Sequence, residues 1–135
     1  MCFGTFDILH LGHLNYFEQA KKYGDYLMVV IARDKTKQDQ KKITLFNEEE
    51  RKKIVDSLKI VDEVVLGYPD HHFKIIQEKQ PEVICLGYDH EIDEKELKLK
   101  LASLKLYPKI YRMKAYKPEI HKSGKIKEVI LKNLQ

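Results

Sequence analysis

Short apolar runs alternate with amphipathic stretches along most of the chain. Residues 26–32 (YLMVVIA) form a nearly continuous apolar run, and Val83–Leu86 is a shorter one. Runs of this kind are typical of strands that are buried on both faces of a parallel sheet. Between such runs, Ile54, Val55 and Leu58 recur at the spacing of one helix face. The pattern therefore predicts strands that alternate with helices.

Turn and cap residues indicate where several of these elements end. Gly24 is suited to end the first helix, and Asn47 with Glu50 forms the pattern of a reciprocal helix cap. The alternation indicates an α/β fold, with a Rossmann-like open parallel five-stranded sheet and helices on both faces. The short first strand is expected to weaken this sheet. We expect one domain over residues 1–135, with strands at 1–3, 26–32, 64–66, 83–86 and 109–113 and helices at 14–22, 48–59, 73–79, 94–106 and 125–134.

The composition is that of a globular protein. The chain is 43% hydrophobic and 34% charged, which argues against long disorder, and its apolar runs are too short to span a membrane. The net charge of +4 suits an anionic small molecule, and without a recognisable nucleic-acid-binding motif we expect no nucleic acid partner. Cys2 and Cys85 lie in predicted strands, and no signal peptide pattern is present. We therefore expect reduced core thiols in a cytoplasmic protein.

The loop after the first strand carries the most informative residues. Residues 4–13 read GTFDILHLGH and lead into the first predicted helix. His10 and His13 can face the same way, and Gly12 has no Cβ, which lets a phosphate approach the backbone. The helix N-terminus adds unpaired amides, so the segment is suited to bind and stabilise a phosphate group. A lone His-x-x-His pair is also compatible with incidental histidines or with a zinc site, although the further zinc ligands are not evident.

The GTFDILHLGH segment strongly resembles the signature of the cytidylyltransferase-like nucleotidyltransferases, whose hallmark is HxGH. The resemblance covers nearly the whole chain and implies direct in-line transfer. The phosphate of a phosphorylated small molecule attacks the α-phosphate of a nucleoside triphosphate, and pyrophosphate leaves without a covalent enzyme intermediate. A divalent cation, usually Mg²⁺, is expected to assist, bound mainly through the triphosphate. Catalysis would rest on positioning and charge stabilisation. Relatives are often dimers, so a homodimer is compatible with the resemblance.

The resemblance also implies roles for individual residues. It places His10 and His13 at the α-phosphate and lets Asp7 orient polar groups near the phosphates. Arg51 falls where the family's second characteristic block has an arginine that contacts phosphate or nucleotide. Lys42 stands where a phosphate-binding lysine often occurs, although it is also compatible with a solvated loop lysine. The other nucleotide-binding positions that the family implies are Gly4, Thr5, Phe6, Gly12, Gly87 and Asp89.

The C-terminal segment departs most from the family pattern. Cytidylyltransferases commonly carry an Arg-Thr-Glu-Gly-Ile-Ser-Thr-like motif before the last helix, whereas residues 117–128 read KPEIHKSGKIKE. Lys117 replaces the arginine, Ser123 offers a hydroxyl for phosphate at a helix start, and Lys125 could reach the triphosphate. All three are expected to bind nucleotide. The loss of the arginine also leaves open a non-catalytic nucleotide-binding module.

Two short segments bear on the choice of nucleotide. Residues 32–36 (ARDKT) and 86–90 (LGYDH) look more like the archaeal FAD synthases of this family than like its glycerol-3-phosphate cytidylyltransferases. The resemblance therefore implies ATP and FMN as substrates, with FAD and pyrophosphate as products. The alternative is CTP with glycerol-3-phosphate or a related phosphate ester, because both reactions need the same phosphate-binding loop.

Overall fold

The computed structural model describes residues 1–134, apart from the side chain of Ser123. The strands are β1 (Cys2–Gly4), β2 (Met28–Ile31), β3 (Glu63–Leu66), β4 (Val83–Leu86) and β5 (Lys109–Arg112). The helices are α1 (Leu11–Lys21), α2 (Asp34–Asp39), α3 (Glu48–Asp56), α4 (Lys74–Lys79), α5 (Glu94–Ser103) and α6 (Ser123–Leu134). All five strands are parallel, in the order β3-β2-β1-β4-β5, which confirms the predicted sheet. Among the described residues, no helix is long and apolar enough to cross a bilayer.

Two hydrophobic cores lie on opposite faces of the sheet. Successive strand residues point to opposite faces, so Val29 and Ile31 join one core while Val30 joins the other. The first core packs against α1 and α3, through residues such as Phe17 and Val55. The second core packs against α4 and α5. This double burial explains why the strands read as continuous apolar runs.

β1 is short but occupies the centre of the sheet. It pairs with β2 on one side and with β4 on the other, where Cys2 stands opposite Cys85 and both thiols are buried and free. Backbone hydrogen bonds continue beyond its ends, since the Met1 ammonium donates to the Val83 carbonyl and the Ala32 amide donates to Gly4. These bonds support the strand, whose length alone predicted a weak sheet.

α3 and α5 each end three residues before the predicted position, and α6 begins two residues before it. Two further helices differ next to the carboxyl ends of strands. α1 begins at Leu11 rather than at position 14, because His10 caps it. α2 lies in a stretch for which no helix was predicted, since its six residues are polar and bury no side chain. Both differences concern segments that follow the carboxyl ends of strands, where the chain is shaped by local hydrogen bonds rather than by core packing.

Candidate active site

A cleft of about 830 Å³ opens at the edge of the sheet where the carboxyl ends of the parallel strands meet. Its walls include Thr5, Ala32, Gly67 and Gly87, which directly follow β1, β2, β3 and β4. In open parallel sheets, ligands bind at this edge. Ten of the sequence-predicted site residues border the cleft: Gly4, Thr5, Phe6, Asp7, His10, Gly12, His13, Lys42, Gly87 and Asp89.

The two histidines of the first loop form a reciprocal cap at the start of α1. Nδ1 of His10 accepts the amide of Gly12 at 3.1 Å, and Nδ1 of His13 accepts the amide of His10 at 3.3 Å. The two rings stack with centroids 3.8 Å apart. Because each Nδ1 is an acceptor, the neutral rings carry their protons on Nε2. The pair therefore brings two Nε2–H donors to the wall of the cleft.

Burial keeps both rings uncharged. Burial lowers the pKa of His10, and the neighbouring His121 lowers it further, while Asp89 opposes the shift. Burial, together with the adjacent His10, lowers the pKa of His13 to about 3. At neutral pH both rings are therefore neutral hydrogen-bond donors. Preorganised donors of this kind stabilise negative charge that develops on a reacting phosphate.

These pKa values predict how stability depends on pH. Folded His13 has a pKa of about 3, against an ordinary value of 6.5, so the unfolded chain takes up a proton that the folded chain excludes. The free energy of unfolding should therefore fall as the pH drops from 6.5 toward 3. Urea unfolding at a series of pH values checks this, with His13→Gln as the control because glutamine can cap but cannot titrate. Equal pH dependence in the two proteins would contradict the assignment.

The first turn of α1 offers fewer free amides than the sequence predicted. The Gly12 amide is bound by the His10 ring, and the His13 amide bonds the His10 carbonyl at 3.0 Å. These two backbone amides, which were expected to bind a phosphate, instead donate hydrogen bonds within the turn. Nε2 of each imidazole can then donate a hydrogen bond to an anion.

Two glycines allow close packing around the histidines. A Cβ on Gly12 would lie 2.8 Å from both Cε1 of His10 and the carbonyl oxygen of His121. A Cβ on Gly4 would lie 2.5 Å from the ring of Phe6, whose φ of 54° turns the backbone sharply. The Phe6 ring meets His13 edge to face, with centroids 5.1 Å apart. Phe6 is buried and supports the His13 ring rather than offering a free face to nucleotide.

Asp7 anchors neighbouring segments. Its carboxylate accepts the amides of Leu45 and Phe46 and forms an ion pair with Lys127. Burial raises its pKa, but the hydrogen bonds from Lys127 and the two amides outweigh this effect and lower the pKa overall. The role near the phosphates that the resemblance implies for Asp7 stays a prediction. Asp7 joins the loop before α3 to α6 across the floor of the cleft.

Arg51 is also a positioning residue. Its side chain is fully buried, and its guanidinium donates to the carbonyls of Thr5, Ala32 and Phe46 and to the carboxylate of Asp34. Every guanidinium nitrogen is engaged, and the four bonds join the loops that follow β1 and β2 to the start of α3. The phosphate contact that the resemblance implies for Arg51 stays a prediction.

Five lysines border the cleft, and only one of them was predicted. Lys42 is exposed at its rim, as expected, whereas Lys37, Lys114, Lys122 and Lys127 were missed. Burial lowers the pKa of Lys37, and the positive charges of Lys42, Arg51 and Lys127 lower it further. This convergence of like charges suits a polyanionic ligand, because a bound phosphate would offset the repulsion between Lys37 and its positively charged neighbours.

The predicted lysines of the C-terminal segment lie elsewhere. Lys117 is exposed with its ammonium over the Tyr116 ring, and Lys125 is exposed near Glu128. Neither is among the described residues that line the cleft. The cleft is instead bordered by Lys122 and Lys127 of the same segment. The prediction for Ser123 concerns a side chain outside the described part of the structure.

The loop after β4 is held by an arginine that sequence reasoning missed. Arg112 on β5 donates to the carbonyls of Gly87, His90 and Ile92 and pairs with Glu94. The Gly87 amide donates to Nδ1 of His90 at 2.9 Å, and burial lowers the pKa of that imidazole. The loop is therefore shaped before any ligand binds. It leaves the carboxylate of Asp89 exposed at the wall of the cleft.

A third imidazole stands beside the histidine pair. The His121 ring lies nearly parallel to that of His10, with centroids 6.2 Å apart, and nearly parallel to that of Tyr116 at 5.7 Å. His121 precedes α6 and borders the cleft. Its position follows from the path of the C-terminal segment, which passes the start of α1, and spacing alone gave no means of predicting it.

Comparisons with known proteins identify the family of this chain. The family model described as cytidylyltransferase-like matches residues 1–129. The FAD synthase of Picrophilus torridus is 42% identical over 131 residues, which cover 97% of this chain and 94% of the relative. The FAD synthase of Thermoplasma volcanium is 40% identical over 131 residues, covering 97% and 92%. A solved structure described as the lipopolysaccharide core biosynthesis protein from Thermoplasma volcanium GSS1 has a TM-score of 0.84 and 44% identity, covering 86% of this chain and 95% of that one. The chain belongs to the cytidylyltransferase-like family of nucleotidyltransferases.

Proposed function

We propose that this chain transfers the adenylyl group of ATP to FMN, giving FAD and pyrophosphate. The observation that carries the proposal is the pair of uncharged imidazoles, His10 and His13, whose Nε2–H groups border the cleft. Relatives named FAD synthase, 40–42% identical over nearly the whole chain, support the choice of substrates.

The transfer requires one bond to form as another breaks. An oxygen of the FMN phosphate attacks the α-phosphorus of ATP, and the bond from that phosphorus to the bridging oxygen of the β-phosphate breaks. The electron pair leaves with pyrophosphate. The Nε2–H donors of His10 and His13 would bind the oxygens of the α-phosphate, which gain charge during the transfer.

The lysines of the cleft would bind the charge of the leaving pyrophosphate. Lys37, Lys42, Lys122 and Lys127 border the same space as the histidines. The ammonium of Lys127 is paired with Asp7, and this ion pair holds α6 close to the cleft. The same ammonium would contribute positive charge at the cleft. The loop after β4, with Gly87 and Asp89, would then border the nucleoside.

A divalent cation fits this site if it enters with the nucleotide. Among the described residues, no three His, Cys, Asp or Glu side chains lie close enough together to hold a metal ion. Triphosphate oxygens would therefore supply most of the ligands for Mg²⁺. When bound, the cation would neutralise charge on the phosphates.

Pyrophosphate release distinguishes this proposal from its alternative. The protein should release pyrophosphate with ATP and FMN, and the product should be FAD by chromatography. Incubations with CTP and glycerol-3-phosphate, and with each nucleotide alone, are the controls. Turnover with the CTP pair and none with the ATP pair would overturn the proposed substrates but leave the nucleotidyl transfer.

A further inference from the structure

The cleft has two arms, one on each side of the histidine pair. His10 and His13 follow β1, the middle strand of the sheet, so the cleft extends over β2 and β3 in one direction and over β4 and β5 in the other. FAD consists of two nucleotides joined through a pyrophosphate. If this junction lies at the histidines, as the proposed function requires, one ring system must occupy each arm.

The arm over β2 and β3 has an apolar wall. Val30, Ile75 and Ile76 are buried residues of the second core that border the cleft at its inner end. Tyr68, after β3, and Phe73, just before α4, are partly buried against the same core and also border the cleft. A flat apolar ligand that binds in this arm would contact aliphatic side chains and two aromatic rings.

Both aromatic rings are held in place by polar contacts outside the core. The ammonium of Lys74 lies 4.5 Å from the centre of the Tyr68 ring, and that of Lys100 lies 5.5 Å from the centre of the Phe73 ring. The Tyr68 hydroxyl also donates to the carboxylate of Glu78. These contacts restrict the rings before a ligand arrives, which lowers the entropic cost of stacking on them.

The arm over β4 and β5 has a mixed lining. It is bordered by Asp89, His90 and Glu91 and by the apolar Leu86, Ile92 and Leu97, with Tyr88 as an exposed aromatic residue. Of the two ring systems in FAD, isoalloxazine is the larger, with three fused rings, whereas adenine is smaller and richer in nitrogen. The two aromatic rings of Tyr68 and Phe73, which pack against one aliphatic core, offer the broader stacking surface that the larger ring system needs.

We propose that Tyr68 and Phe73 form the binding wall for the isoalloxazine ring of FMN and thereby determine the specificity for a flavin acceptor. This inference rests on the proposed function, since it concerns the acceptor of that reaction. A small acceptor such as glycerol-3-phosphate has no ring to place on this wall.

Binding of FMN to single variants tests the wall. Tyr68→Leu and Phe73→Leu keep apolar volume but remove the aromatic face, and each should raise the dissociation constant of FMN by roughly threefold to tenfold. The double variant should raise it by about thirtyfold. Quenching of flavin fluorescence measures the binding. Lumiflavin, which is the bare ring system without phosphate, serves as a second probe and should lose affinity in parallel.

Matched variants separate stacking from other effects. Tyr68→Phe keeps the ring but loses the hydroxyl bond to Glu78, and its affinity for FMN should stay close to that of the wild type. Tyr107→Leu removes a tyrosine that is 78% exposed and lies outside the described lining of the cleft, so it should change nothing. The KM for ATP should remain unchanged in both wall variants, whose circular dichroism and melting temperature confirm folding.

The possible outcomes separate the two proposals. Unchanged FMN and lumiflavin affinity in folded Tyr68→Leu and Phe73→Leu proteins would overturn the wall. A loss of FMN affinity in Tyr88→Leu instead would place the flavin in the opposite arm. Failure of the wild-type protein both to bind and to adenylate FMN would overturn the proposed function itself, and that result comes from the wild type before any variant is used.

Discussion

Replacing His10 with asparagine should lower kcat for adenylyl transfer by about 10²–10³-fold, the usual effect of removing one donor that stabilises a reacting oxyanion. Asparagine accepts hydrogen bonds well at an N-cap, so the cap to the Gly12 amide can be retained. What the variant lacks is the Nε2–H donor at the cleft. Because this donor acts most strongly in the transition state, KM for ATP should change much less than kcat.

Two controls make the His10 result specific. His71→Asn removes an exposed histidine that lies outside the described lining of the cleft, and it should leave kcat unchanged. Circular dichroism of His10→Asn should show that α1 is retained. Wild-type kcat in a folded His10→Asn protein would contradict the role of the imidazole in transfer.

Replacing Arg51 with methionine should lower the free energy of unfolding by about 3–5 kcal/mol, as expected when one partner of a buried ion pair is removed. Methionine fills much of the space but leaves the carbonyls of Thr5, Ala32 and Phe46 and the carboxylate of Asp34 without their donor. Buried acceptors without partners are costly. Urea unfolding of the variant and the wild type at neutral pH measures the loss.

A neighbouring position on α3 provides the matched control. Lys53 is exposed, so Lys53→Met should change the free energy of unfolding by no more than about 0.5 kcal/mol. If Arg51→Met were as stable as the wild type but had lost its affinity for ATP, the residue would contact nucleotide after all. The buried Arg51 side chain would then have to move when ATP binds.

The fold could be predicted in outline because its strands are buried on both faces. Residues such as Val29, Val30 and Ile31 must all be apolar when one side chain faces α1 and the next faces α4, and this requirement shows directly in the sequence. α2 could not be predicted in the same way. It buries no residue, so the physical constraint that reveals the strands is absent there.

The site could be predicted less completely, because a sequence shows which side chains are charged but not which groups they contact in the fold. The HxGH spacing indicated that His10 and His13 lie together at the start of α1, since neighbouring positions of one turn determine that geometry. Asp7 and Arg51 look like ligand-binding residues until their partners are known, and those partners come from distant segments. Lys127 and His121 reach the cleft only because α6 and the chain before it pass close to α1.

The missing methyl group of Gly12 joins two distant parts of the chain. The His10 ring and the His121 carbonyl both approach the space that a Cβ would fill, so the last segment of the protein can lie directly on the first helix turn. An alanine here would force one of them away. The contact between the amino-terminal and carboxyl-terminal walls of the cleft thus requires glycine at this position, since even one added methyl group would push them apart locally.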